Sequence, residues 1–261
     1  MKLQKAYMEF YWRITNLVKS ILYILMSSQQ KNIIKKNADI KNKYQGKRCF
    51  IAMGGPSLKE IDTAKLRDEY VMGANNGYLS PQWEEMQPQF LCSIDPLIIS
   101  QNRRDIVGFM KKNPQMKFFA ALKDKEVLDR AGVNNVYYSA GRRVQYREFQ
   151  SVEFEKARET LSGNILNYCI KRAIHLGFKE IYLLGCDFTL FNGKVTNHCY
   201  EEKGEEVTKS QAELYREGAF VLEDLYSLKR FADRNHITIK IAGGQSLIDT
   251  FEFVDYESLF I

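Results

Sequence analysis

Histidine is scarce in this chain, metal-binding spacings are missing, and no apolar run is long enough to cross a bilayer. The three histidines (His175, His198, His236) form no H-x-x-x-H pair, and the five cysteines (Cys49, Cys92, Cys169, Cys186, Cys199) lie far apart with no C-x-x-C spacing. Those absences argue against a structural or His-rich metal site. Most of the cysteines sit among apolar residues, which points to reduced core thiols in a cytoplasmic protein. Glu9, Arg13 and Lys19 interrupt the apolar residues of 6–26, so the stretch of about 18 apolar residues that spans a bilayer does not occur. No short apolar core leads to a small-residue cleavage site, so a secretory signal is not expected. Basic excess is also missing from most of the chain. Residues 1–48 hold 11 Lys/Arg and 2 acidic residues, a local +9. The remainder holds 38 − 11 = 27 basic and 32 − 2 = 30 acidic residues, a local −3. The main body is therefore not expected to bind nucleic acid.

What is present is enough for a large core. The 261 residues are 45% hydrophobic and 13% aromatic, which excludes global disorder and fits one large α/β domain, alone or with a small appendage. In residues 6–26, Phe10, Ile14, Leu17, Val18, Ile21, Leu22 and Leu25 recur at helical spacing, with Tyr7, Tyr11, Trp12 and Tyr23 as rings of the interfacial kind. Lys31, Lys35, Lys36, Lys41, Lys43, Lys47 and Arg48 follow. An apolar-aromatic helix beside a polybasic run is the recipe for lying on an anionic inner leaflet. The same pattern also serves a helix packed on its own domain or on a second subunit, so a homo-oligomer stays open.

Beyond residue 44 apolar strand-like runs alternate with helical ones. Strands are expected at 48–52, 69–75, 89–94, 117–121, 136–139, 179–185 and 237–241. Helices are expected at 58–66, 97–112, 123–131, 162–176, 213–235 and, in the tail, 253–260. Gly177 ends the helix of 162–176 as a C-cap. The unbroken apolar run of 179–185 suits a central parallel strand. The polar, irregular loop at 141–159 has the character of a site or lid segment, and a second polar loop at 189–210 contains His198. The alternation predicts a doubly wound, mostly parallel α/β sheet of Rossmann-like kind.

The run Arg48-Cys-Phe-Ile-Ala-Met-Gly-Gly-Pro-Ser-Leu58 reads as a first strand, a tight turn and a helix start. Gly54, Gly55, Pro56 and Ser57 match neither the Rossmann nor the Walker spacing, so an ordinary turn and a phosphate cradle are both open. In a doubly wound sheet the ligand crevice lies beyond the carboxyl ends of the strands. Polar residues expected at those ends are Gly54 to Ser57, Asn75 and Asn76, Ser93 and Asp95, Asp187, and Gly243-Gly244. Asparagine offers both donor and acceptor, which suits ribose hydroxyls and a base edge.

Phe50-Ile-Ala-Met-Gly-Gly-Pro-Ser-Leu-Lys-Glu-Ile-Asp62, Asn75 with Tyr78, Asp95-Pro96, and Leu161-Ser-Gly163 with His-Leu-Gly-Phe-Lys-Glu-Ile-Tyr-Leu-Leu-Gly-Cys-Asp-Phe188 resemble the DUF115 family. That family includes the 6-hydroxymethylpterin diphosphokinase MptE-like proteins and is similar to the family 42 bacterial sialyltransferases. The resemblance covers roughly residues 44–261, leaving residues 1–43 as a separate amphipathic, basic segment. It implies a GT-A-type sialyltransferase variant of the fold. It further implies a CMP donor held by Gly55, Pro56, Ser57, Asn75, Ser162 and Gly163, without bound metal. In the sialyltransferases a histidine after the Gly-x-Asp-Phe strand is the general base, a role that would fall to His198, with Tyr200 and Tyr215 as candidates beside the departing phosphate. Gly54 stands where the family usually carries Asn, and Asp95-Pro96 where the sialyltransferases carry Asn-Pro.

The expected function is transfer of a CMP-activated nonulosonic acid to a surface-glycan or lipid-linked acceptor, by an enzyme in the cytoplasm at the inner membrane. The alternatives are a Mg²⁺-dependent ATP:pterin-type diphosphokinase using Asp95 and Asp187, and a non-catalytic nucleotide-binding protein of a glycan pathway.

Overall fold

Strand β1 (Arg48–Ala52) lies at the middle of an eight-stranded sheet, buried on both faces. The remaining strands are β2 (Tyr70–Ala74), β3 (Phe90–Ser93), β4 (Lys117–Ala121), β5 (Val136–Ser139), β6 (Glu180–Leu184), β7 (Thr238–Ala242) and β8 (Glu252–Val254). The spatial order is β5-β4-β3-β2-β1-β6-β7-β8, and every pairing is parallel. This computed structural model describes residues 7, 10, 14, 17–18, 21–22, 24–95, 98–99, 103–140, 150–160, 164–189, 198–200 and 210–261. The doubly wound parallel sheet expected from the alternation is the observed fold.

Around the sheet lie α1 (Ser28–Lys35), α2 (Gln82–Met86), α3 (Arg103–Lys112), α4 (Lys125–Arg130), α5 (Ile165–Leu176) and α6 (Gln211–Arg234). Helix α5 is buried over nearly its whole length and packs with α6 on one face, against Ile51, Cys92, Ile181 and Ile241. It starts at Asn164, whose side chain accepts from the Leu166 amide, and ends at Gly177 as predicted. Helices α1 to α4 line a second cluster built on Leu91, Phe118 and Tyr138. A third, around Phe50, Leu58, Tyr182 and Leu184, holds the opposite face of β1 and β6. All five cysteines are buried free thiols.

Three local expectations are corrected. Residues 58–66 form no α-helix; they make two 3₁₀ turns, Pro56–Glu60 and Thr63–Leu66. Ile61 is extended and Asp62 caps the second turn through the Ala64 amide, which stops the first from propagating. The tail is not a single helix either. Residues 252–254 extend the sheet as β8, since Phe253 and Val254 pair with Ile241 and Ala242, and a 3₁₀ turn follows at Glu257–Phe260. Third, the packed body begins well before residue 44. Ile34 and Ile40 are fully buried, and the Asn37 amide group donates to the Tyr138 carbonyl at 2.9 Å, so the segment after Ser27 belongs to the α/β body.

Candidate functional site

Crossovers from β1 run outward through β2 and β3 on one side, while β6, β7 and β8 run outward on the other. The winding therefore reverses between β1 and β6, and the loops leaving these two neighbours must part or cross at their carboxyl ends. Here they cross. The Met53 amide donates to the Leu184 carbonyl and the Gly55 amide to the Gly185 carbonyl, both at 2.9 Å. Only glycine permits that approach. A Cβ on Gly55 would lie 2.4 Å from the Gly185 carbonyl oxygen, and one on Gly185, whose φ is +60°, would lie 2.6 Å from the Met53 oxygen.

Asp187 fastens the crossing. Its carboxylate accepts from the Ser57 amide at 2.9 Å and from the Ser57 hydroxyl. The Leu247 amide donates to the Asp187 carbonyl at 3.0 Å, bringing the β7–β8 connection into the same knot. This alters the reading of Ser57 as a phosphate ligand: its hydroxyl and amide are already engaged, and Pro56 opens a 3₁₀ turn instead of a helix. Asp187, expected among the nucleotide ligands, is the acceptor that holds this loop.

Strand register sets the rest of the rim. Ala52 pairs with Gly73 and Ala74 with Cys92, so Gly54 and Asn75 follow the ends of β1 and β2 while Ser93 is the last residue of β3 beside them. Asn75 takes a left-handed conformation, φ +49°, and starts the 3₁₀ turn Asn75–Leu79. Asn76 is buried and Asp95 half-buried just beyond β3. On this side Asn75 Oδ1, Tyr78 Oη and Ser93 Oγ are buried with no hydrogen-bond partner among the described residues. Each such orphan costs about 1–3 kcal/mol unless a ligand or water satisfies it. Burial pushes the Tyr78 phenol up to about 12, so it stays a neutral donor at physiological pH. Its ring stacks on Phe109 with centroids 4.6 Å apart. Tyr78 is quoted with Asn75 in the family resemblance but is given no role at the site by sequence reasoning; its position three residues after Asn75, on the same single turn, is the signal for one.

Over the β1 loop lie residues 198–200. The Cys199 amide donates to the Gly54 carbonyl at 2.7 Å, and the Cys199 side chain is buried against the third cluster. The rings of His198 and Tyr200, on either side of it, stack with centroids 4.9 Å apart and planes at 22°. Gly54 makes room for both, because a Cβ there would come within 3.0 Å of Tyr200 Cε1 and 3.2 Å of His198 Cδ2. The fold thus brings Gly54, His198 and Tyr200 together at the switch point. Tyr215 is placed otherwise, exposed on the first turns of α6. Ser162 and Gly163 lie outside the described residues, as does Pro96. His175 and His236 are elsewhere: His175 is buried on α5, and His236 precedes β7.

Residues 25–193 match the family described as 6-hydroxymethylpterin diphosphokinase MptE-like. No curated protein matches the sequence. Among solved structures, the chain is similar to the sialyltransferase CstII from Campylobacter jejuni in complex with cytidine-5'-monophosphate. The identity is 18% and the TM-score 0.50, over 80% of this chain and 85% of that one. It is also similar to the Maf glycosyltransferase from Magnetospirillum magneticum AMB-1, with 15% identity and a TM-score of 0.50, covering 87% of this chain and 39% of that longer one. At these identities the likeness is one of fold.

Proposed function

The chain belongs to the MptE-like family, and from that membership and the rim geometry we propose that it is a glycosyltransferase using a CMP-activated sugar. The observation that carries the reading is the trio of Asn75 Oδ1, Tyr78 Oη and Ser93 Oγ, buried at and just after the ends of β2 and β3 with no hydrogen-bond partner among the described residues, while the loop leaving the neighbouring β1 carries Gly54 against the His198–Tyr200 pair. An acceptor and two hydroxyls suit a nucleoside, whose ribose and base present both donors and acceptors. The nucleotide phosphate then lies toward Gly54. There His198 takes the proton of an acceptor hydroxyl as its oxygen bonds to the anomeric carbon, the bond from that carbon to the phosphate oxygen breaks, and CMP departs. Tyr200, stacked on the imidazole, offers a hydroxyl to the leaving phosphate. A nonulosonic acid is the donor sugar this reading favours, with a surface glycan or lipid-linked sugar as acceptor.

The family's description supplies a second reading, pyrophosphoryl transfer from ATP to a pterin. That chemistry calls for carboxylates to hold Mg²⁺. Asp95 and Asp187 are the acids at the rim, but both Asp187 oxygens already accept from Ser57, so the first reading is preferred.

Thermal unfolding with CMP, UDP, GDP and ATP, each with and without Mg²⁺, separates the two. Ligand at a hundredfold excess over Kd stabilises by about 2.7 kcal/mol, a readily measured shift. CMP should stabilise without metal; stabilisation by ATP only with Mg²⁺ overturns the proposal. His198→Ala should keep CMP binding and lose about 10²–10⁴-fold in transfer. Transfer at the parental rate would remove His198 from the mechanism.

A further inference from the structure

The described positions between residues 7 and 25 are helical, and Tyr7, Phe10, Ile14, Leu17, Ile21 and Ile24 are spaced three and four residues apart along them. These six side chains are 45% to 68% exposed, so no described part of the α/β body covers them. A contiguous apolar stripe of that length on a soluble surface is a contact surface. Its far end is fixed. Ser27 breaks the helix and caps α1 with a full capping box, the Lys31 ammonium donates to the Ile24 carbonyl at 2.8 Å, and Met26 packs against the α1–α4 cluster.

We propose that this stripe docks on an anionic lipid bilayer, lying in its surface, with the basic turn after it against the headgroups. Three observations choose lipid over a second copy of the chain. Residues 1–48 carry a local +9, from 11 basic and 2 acidic residues, so two copies side by side repel where an anionic surface attracts. Lys35, Lys43 and Lys47 are exposed and take part in none of the ion pairs among the described residues, which leaves their charge for phosphate headgroups. Finally, residues 21–26 read Ile-Leu-Tyr-Ile-Leu-Met, apolar around the whole circumference, where a paired-helix seam keeps its outer positions polar. Glu9, Arg13 and Lys19 interrupt the apolar residues of 6–26, short of the roughly 18 that a bilayer span needs, so the contact is interfacial.

The test is co-sedimentation of the full chain with vesicles of phosphatidylcholine alone or mixed with phosphatidylglycerol, alongside analytical ultracentrifugation without lipid. The chain should sediment with the anionic vesicles and be released by salt. Replacing Lys35, Lys43 and Lys47 together by Gln should weaken that binding by about a hundredfold, since each lysine near the surface is worth roughly a fivefold factor. Leu17→Glu with Ile21→Glu should abolish binding while the unfolding temperature is kept, because neither side chain packs on the body. A chain that stays in solution with anionic vesicles overturns the proposal. So does a lipid-free dimer that the Leu17/Ile21 variant dissociates. Neither measurement depends on nucleotide or on transfer, so the result stands apart from the proposed activity.

Discussion

At Gly54 an added Cβ would sit 3.0 Å from Tyr200 Cε1 and 3.2 Å from His198 Cδ2, tighter than ordinary van der Waals contact. Ala at this position obliges the two rings to retreat by a few tenths of an ångström, and Asn, the residue usual in the resembling family, needs their space outright. Gly54→Ala should therefore lower transfer modestly. Gly54→Asn should lower it by about a hundredfold, the cost of roughly 1 Å misplacement of a reacting group, with CMP affinity kept. Steady-state kinetics with calorimetry of CMP binding checks both; an Asn variant with parental turnover would show that the ring pair does not depend on the glycine. The residue types of the site were legible in the sequence: His198 was the only histidine placed for a base. That it stacks on Tyr200 and rests on Gly54 was not, because residues 54 and 198 are far apart in the chain and meet only where the β1 and β6 loops cross.

Among the elements, α5 has a role its apolar pattern only half disclosed. Ile165, Leu166, Cys169, Ile170, Ala173 and Ile174 marked it as the core helix, and it is. Its Lys171 and Arg172, however, are fully buried too. The Arg172 guanidinium donates to Asn37 Oδ1 at 2.8 Å, to the Tyr168 hydroxyl at 3.0 Å and to Ser139 Oγ, and lies 3.5 Å from the centre of the Phe154 ring. It ties the segment after α1 and the end of β5 to the sheet face. Arg172→Met keeps the apolar stem but removes a buried charged donor from all three groups and leaves Asn37 Oδ1 unpaired, which costs about 1–3 kcal/mol, while Ser139 and Tyr168 keep only the hydrogen bond they share. Urea unfolding should show a loss of more than about 2 kcal/mol; a change within about 0.5 kcal/mol, as for a surface site, would refute the anchoring role. A periodicity argument assigns basic residues to solvent, which is why this anchor was missed. The same blindness applies to β8, whose pairing with β7 a short tail cannot announce.

For the molecule as a whole, acid should act partly through His175. Its Nδ1 faces the Val152 carbonyl at 3.1 Å and its Nε2 the Asn37 carbonyl at 2.9 Å. Burial, and then the charge of Arg172 nearby, lower its pKa from 6.5 to about 4. The unfolded chain then holds the extra proton between those pH values and the native state does not, so stability falls as pH drops. The contribution is fully present above pH 6.5, lost progressively toward pH 4 and amounts to about 3 kcal/mol. Denaturant midpoints across that range check the slope, and NMR titration assigns it; a His175 resonance titrating above pH 6 would contradict the burial argument.

The sequence alone determined what local chemistry can carry. Alternating strand-like and helical runs pointed to a parallel α/β sheet, since strands joined by helical crossovers run parallel and are buried on both faces. The charge division placed the basic excess in residues 1–48, and the paired motifs pointed to the family. Tertiary structure decided the long-range questions. It set the strand order that puts the switch point between β1 and β6. It gave Ser57 to Asp187 instead of leaving it for phosphate, and left Asn75 Oδ1, Tyr78 Oη and Ser93 Oγ without hydrogen-bond partners among the described residues. Those outcomes depend on which loops meet, and contact between residues more than a hundred positions apart leaves no trace in local pattern.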